Sequence, residues 1–164
     1  TEQEDAARVA ADRSATNAQR SVAAARSAER EKIKAAALAK ARKAAAEKAA
    51  RAAERKRVIA NAQKDPKAAA RMLMPDYGFS ESQWPCLDRL WIGESDWNYK
   101  AENSSSGAYG IPQSLPGRKM ATVASDWRTN PVTQIKWGLD YIKRSYGSPC
   151  NALDKWNSRS PHWY

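Results

Sequence analysis

Among the carboxylates of this sequence, Glu94 has the neighbours that an acid catalyst needs. Leu87, Leu90, Trp91 and Glu94 fall at i, i+3, i+4 and i+7, which is one face of a helix. A carboxyl group at the end of an apolar stripe is partly desolvated, and desolvation disfavours the charged form and raises the pKa. The negative end of a helix dipole acts in the same direction. A Glu that keeps its proton near neutral pH can serve as a general acid; a salt-bridged Glu at a helix end is the purely structural alternative. Ser95 can hydrogen-bond the carboxyl or close the helix end. No second carboxylate is paired locally with Glu94, because Asp96 and Asp88 project away from its face. Two-carboxylate glycoside chemistry would require such a partner, and Asp126, Asp140 or Asp154 can supply it only through the fold.

Three further groups of residues bear on a binding site. The loop Ser106-Gly107-Ala108-Tyr109-Gly110-Ile111-Pro112-Gln113 would let a ligand approach the backbone closely, with Gln113 offering both a donor and an acceptor. It lacks the patterns of a phosphate loop. Gln134, Gly138 and Tyr141 share another helical face. There Gly138 argues for close packing, and Tyr141 either faces a cleft or fills the core. Of the seven Trp, most serve a small core, while Trp97, Trp156 and Trp163 are the better candidates to line a groove against sugar faces. His162 is the only histidine and no Cys cluster exists, so neither a metal nor another cofactor is expected.

These side chains need helices to hold them. Residues 80–96 read as one helix, with Ser80 or Ser82 as cap and Pro85 in its first turn. Residues 97–120 read as loop. Asn130-Pro131 opens a second helix whose core stripe is Ile135, Leu139, Ile142 and Tyr146, with Gly147 as its C-terminal cap. The tail 151–164 is Trp-rich, with one helical turn expected at its start. No alternating strand pattern occurs, so the fold class is mainly α.

Upstream, the composition changes. Residues 1–64 are rich in Ala, Arg, Lys and Glu and contain neither Gly nor Pro, which predicts one long helix ending near Asp65-Pro66. Its large apolar residues, Val9, Val22, Ile33, Leu38, Val58 and Ile59, give no sustained heptad. Its Ala stripes would still allow a weak coiled coil with a helical partner. The predicted organisation is a basic helical arm over 1–65, a connector over 66–79 and a compact domain over 80–164. Residues 1–65 hold 16 Lys/Arg against 9 Asp/Glu and residues 66–164 hold 12 against 9, so the two parts carry +7 and +3 of the net +10. The arm is therefore either a solvated spacer or a means of attraction to anionic wall polymers or lipid head groups. Nucleic acid is not expected, because no aromatic or motif feature accompanies the charge. All Trp, Tyr and Cys lie after position 75, so only the second part can build a core. Cys86 and Cys150 permit one intramolecular pairing, and a disulfide there fits an oxidising compartment better than two buried thiols. No apolar run is long enough to span a membrane. The start at Thr1, without Met or a signal-peptide pattern, is what a processed product would show.

Taken in order, the residues from about Trp84 to Tyr164 resemble the soluble lytic transglycosylase family of lysozyme-like, peptidoglycan-cleaving enzymes, in particular its secreted, disulfide-bearing form from Gram-positive actinobacteria. Glu94-Ser95, followed by Trp97-Asn98 and Ala101, resembles the family's Glu-Ser motif. Ser104 to Gln113, closed by Pro116, resembles its Ser-x-x-Gly-Ala-x-Gly-Leu-Met-Gln motif, with Pro112 in place of Met. Asn130, Ile135, Gly138 and Tyr141-Ile142 resemble its second helix, and Trp156-Asn157 is the nearest counterpart of the Ala-Tyr-Asn motif of many members. The resemblance implies a lysozyme-like domain and a lyase reaction at the MurNAc–GlcNAc β-1,4 bond. A single catalytic Glu94 would act as acid and then as base and leave a 1,6-anhydro-MurNAc end. It further implies that Ser95, Gly110, Gln113, Tyr141, Trp156 and Asn157 contact substrate, with Tyr141 helping to orient the acid. The partner would be peptidoglycan glycan strands, and the setting secreted or wall-associated. Related lysozyme-like enzymes hydrolyse the same bond, and a non-catalytic wall-binding or scaffolding module is the third expectation.

Overall fold

Prolines and capping residues at the ends of the apolar stripes divide the chain into five α-helices: α1 (Glu2–Lys64), α2 (Pro66–Leu73), α3 (Trp84–Ser95), α4 (Pro131–Tyr146) and α5 (Pro149–Asn157). The structure, a computed structural model, describes all residues 1–164 and is mainly helical, as the sequence predicts. The extended backbone contributes only two isolated antiparallel bridges, Glu102 with Tyr109 and Tyr109 with Ser114. No helix is long and apolar enough to cross a membrane.

The chain forms two units, Thr1–Ala53 and Glu54–Tyr164. The first is helix throughout from Glu2, and every one of its residues is exposed. Spaced charge pairs such as Glu31–Lys34 (3.0 Å) and Glu47–Arg51 (3.6 Å) follow its turns and add a few tenths of a kcal/mol each. The second unit begins earlier than the boundary expected near 65. The last turns of α1 belong to it: Ala62 is buried, Arg55 pairs with Asp126 at 2.6 Å, and Gln63 Nε2 donates to the Thr129 carbonyl at 2.7 Å. These contacts use an alanine and two polar side chains, so no apolar stripe announces them.

Residues 66–79 are likewise part of the compact unit and not a connector. Asp65 stops α1 and caps α2, its Oδ1 accepting from the Ala68 N–H at 2.9 Å. A 3₁₀ turn, Met74–Tyr77, follows, and Ala70, Met74 and Phe79 enter the core. There they meet Leu87, Leu90 and Trp91 of α3, Ile135, Leu139 and Ile142 of α4, and Ala152 and Leu153 of α5. Each fully buried Leu or Ile contributes about 2 kcal/mol. The predicted stripe of α4 is thus the buried one, with Asn130 Oδ1 capping Val132 N–H at 3.0 Å and Gly147 closing the helix at φ +80°.

Two helix boundaries differ from the sequence reading. A 3₁₀ turn over Glu81–Gln83 precedes α3, which starts only at Trp84; the Ser80 and Ser82 hydroxyls bond each other at 2.7 Å and cap nothing. The tail forms a full helix, α5, opened by Ser148 accepting from Asn151 N–H at 3.2 Å. Cys86 in the first turn of α3 and Cys150 in the first turn of α5 form the disulfide, with 4.9 Å between their Cα atoms. The two helices therefore start side by side and run in the same sense. At the far end of the pair lie Glu94 and Trp156.

Candidate active site

The last turn of α3 carries Glu94, and the chain leaves that turn abruptly. Asp96 and Trp97 both take left-handed backbone conformations, at φ 52° and 58°. Non-glycine residues held there cost of order 1 kcal/mol each, and burial of the Trp97 ring against Trp84 and Trp91 offsets that cost. Trp97 is thereby a core residue and not a groove residue; its Nε1 donates to Asp88 Oδ1 at 2.9 Å. Ser95 ties α3 to the loop opposite, its hydroxyl donating to the Ile111 carbonyl at 2.8 Å.

That loop is held from below by one buried side chain. Gln134 of α4 accepts from the Ile111 N–H at 2.9 Å and donates to the carbonyls of Tyr99 (2.9 Å) and Trp127 (2.8 Å), so its amide is satisfied at both ends. Gly110 permits this. It sits at φ +78°, and a Cβ there would lie 2.5 Å from Gln134 Oε1. Gly110 is buried, its N–H donates to the Ala101 carbonyl (2.8 Å) and its carbonyl accepts from Gln113 Nε2 (2.9 Å). Its backbone groups are occupied within the protein, contrary to the substrate contact expected for them. Gln113 does face the cleft. Its Nε2 donates to the Ala101 and Gly110 carbonyls, which leaves Oε1 as an unengaged acceptor.

The cleft encloses about 540 Å³ around Glu94. One wall comes from the loop, with Asn103, Ser106, Ala108, Gln113 and Leu115; the other comes from α5 and the tail, with Trp156, His162, Trp163 and Tyr164. Glu94 is the only side-chain carboxylate in the lining. Asp126 is engaged by Arg55, Asn130 and Thr133, and Asp140 by Arg144. Asp154 is exposed on α5 and does not reach the cleft. Burial lifts the Glu94 carboxyl from 4.5 to about 7, against the lowering effect of the Trp156 N–H and of His162.

Trp156 is therefore more than a lining residue. Its Nε1 donates to Glu94 Oε1 at 2.7 Å. Gly93 makes room for it, since a Cβ at that position would fall 2.6 Å from the indole. His162 stacks on the indole at 4.0 Å and 14°, with its Nδ1 2.7 Å from the Trp156 carbonyl. Tyr164 anchors the tail. Its hydroxyl accepts from Trp91 Nε1 at 2.8 Å and donates to the Pro112 carbonyl at 3.1 Å, and burial with Glu94 nearby holds it well above the usual tyrosine range.

Besides Ser95 and Gly110, two more expected site residues lie outside the cleft lining. Tyr141 stacks on Trp137 and donates to the Tyr164 carbonyl at 3.2 Å, and it is not among the residues that line the cleft. Asn157 follows Trp156 on α5 but is exposed outside the cleft, because one helical step rotates it about 100° away. Gly138 serves packing: a Cβ there would sit 2.6 Å from the Trp91 ring and 3.0 Å from Pro112 Cβ. The sequence reading missed Gly93, His162 and Tyr164. Gly93 carries the same signal that drew notice to Gly138, a glycine inside an apolar helix. The tail residues had no such signal, since they act through a chain reversal that spacing does not encode.

Compared with known proteins, the chain matches no family model, no curated protein and no solved structure.

Proposed function

We propose that the Glu54–Tyr164 unit is a peptidoglycan lytic transglycosylase with Glu94 as its catalytic residue. The observation that carries this reading is a cleft with one carboxylate, raised to about 7 by burial. Such a group carries a proton on roughly half of the molecules at neutral pH, so it can give one and take one back. In the reaction, Glu94 protonates the oxygen that bridges C1 of N-acetylmuramic acid to N-acetylglucosamine, and the C1–O bond breaks. The 6-hydroxyl of the same muramic acid attacks C1 and returns its proton to the Glu94 carboxylate. One bond breaks and one forms, no water is consumed and the acid is regenerated. A two-carboxylate scheme would need a second acid or base that this cleft lacks. Gln113 Oε1 is suited to accept from a sugar hydroxyl or N-acetyl N–H, and Trp163 offers an exposed ring for a sugar face.

The test is digestion of purified sacculi. Wild type should release muropeptides with 1,6-anhydro ends, and Glu94→Gln should slow release by about 10²- to 10⁴-fold. Hydrated reducing ends would make the protein a muramidase; binding without release would make it a wall-binding module. The site of action is extracellular, at the cell wall, where the Cys86–Cys150 disulfide persists. Residues 1–53, with 12 Lys/Arg against 7 Asp/Glu, all exposed, act as an arm that attracts anionic wall polymers. Removing them should weaken sacculus retention at low salt, and retention that neither truncation nor salt changes would refute that role.

A further inference from the structure

We infer that Trp156 is a positioning residue that assigns separate tasks to the two oxygens of Glu94, keeping Oε1 as a permanent acceptor and confining the travelling proton to Oε2. This rests on the catalytic reading of Glu94 given above and adds a residue to it.

An indole N–H is a donor with no lone pair to accept a hydrogen bond. With Trp156 Nε1 at 2.7 Å, Glu94 Oε1 must accept in both protonation states. A proton on Oε1 would set two donors against each other. The acid form therefore carries its proton on Oε2, and the base form keeps the charge on Oε1 hydrogen-bonded while Oε2 stays free. One oxygen gives the proton and the same oxygen recovers it, so the side chain need not rotate between the two half-reactions.

The indole is held against the bare backbone of Gly93 and stacked on the His162 ring, whose Nδ1 donates to the Trp156 carbonyl at 2.7 Å. A carbonyl cannot donate, so Nδ1 is the protonated nitrogen of that ring. Of the titratable groups facing Glu94, the tail contributes His162 and Tyr164, while α5 presents the neutral Trp156 and the loop presents neutral Asn103, Ser106 and Gln113.

The experiment follows the Trp156 indole N–H cross-peak by ¹⁵N NMR from pH 5 to 9, in wild type, Glu94→Gln and His162→Gln. The expected result is a step with a midpoint near 7 that survives in His162→Gln and vanishes in Glu94→Gln. A peak that does not titrate, or a step that persists in Glu94→Gln, would overturn the assignment. Trp156→Phe, which keeps an aromatic ring but removes the N–H donor, should lower kcat on sacculi by about 10- to 100-fold with little change in KM. It should also move the descending limb of the pH–rate profile upward, because the N–H stabilises the charged carboxylate. An unchanged pH profile in Trp156→Phe would reduce the contact to a structural one and overturn the positioning role. A wild type without glycan cleavage would instead refute the catalytic reading, and the indole titration would still decide the hydrogen bond.

Discussion

Replacing Glu94 by Gln should stabilise the protein at alkaline pH and leave it unchanged at acid pH. The folded carboxyl titrates near 7, whereas its ordinary value is 4.5. Between those limits the folded state holds a proton that the unfolded chain has released. Stability contributed by that proton is fully present below pH 4.5, declines as pH rises, and is gone above about 7. At about 1.4 kcal/mol per pH unit the gap sets a ceiling of about 3–4 kcal/mol, and partial solvent access to the cleft brings the expected value to about 2 kcal/mol. Gln keeps an acceptor for Trp156 but carries no ionisable group, so it loses nothing over this window. The assay is urea or thermal unfolding of both proteins at pH 4, 6 and 8. The midpoints should coincide at pH 4, and Glu94→Gln should lead by roughly 8 °C at pH 8, at about 4 °C per kcal/mol for a unit of this size. A constant difference across the three pH values, or a wild type that gains on the mutant as pH rises, would show that burial does not oppose ionisation of Glu94. The acid–base reading would then lose its physical basis.

Two further outcomes test the frame that holds the site. Gly138→Ala should destabilise by about 1–3 kcal/mol in urea unfolding, because its Cβ would meet the Trp91 ring at 2.6 Å and the side of Pro112 at 3.0 Å; an unchanged midpoint would mean that α3 and α4 are less tightly apposed. The Cys86–Cys150 bridge joins residues 64 apart, so reducing it, or replacing both by Ser, should cost on the order of 4 kcal/mol in the loop-entropy account, read as a lower unfolding midpoint.

The helices were legible because they rest on local signals. Asn130-Pro131, the Ile135-Leu139-Ile142 stripe and Gly147 each act over one or two turns, and α4 follows from them directly. Glu94 was legible for a similar reason, since its desolvation is encoded by Leu90 and Trp91 within its own helix. What escaped depends on chain reversals. Trp156 reads from its place in the tail as a groove residue; it does line the cleft, but because α5 runs beside α3 its indole also reaches the carboxyl 62 residues away. Gly110 reads as open backbone for a ligand, yet the space it frees is filled by Gln134 from α4. Tyr164 and His162 had no periodicity to betray them. The start of the compact unit was hidden because Ala62, Arg55 and Gln63 make contacts that alanine-rich, charged helices do not advertise.

The electrostatic surroundings of Glu94 suit a single group that works in both directions. Where two carboxylates share a site, one is raised by the charge of the other, so the pair is split into a dedicated acid and a dedicated base. Here no negative side chain adds to the effect. Burial alone raises the group, and the Trp156 N–H and His162 pull it partway back. The balance falls near neutral pH, where the protonated and charged forms differ little in free energy. In the proposed reaction, a higher pKa would leave the group reluctant to release its proton to the bridging oxygen, and a lower one would leave a base too weak to accept one from the 6-hydroxyl. A carboxyl poised between the two loses little in either half-reaction. The position of the indole is what sets that balance, because it is the largest influence opposing burial. The same contact that fixes the geometry of Glu94 thus also sets the pH at which it gains and loses its proton.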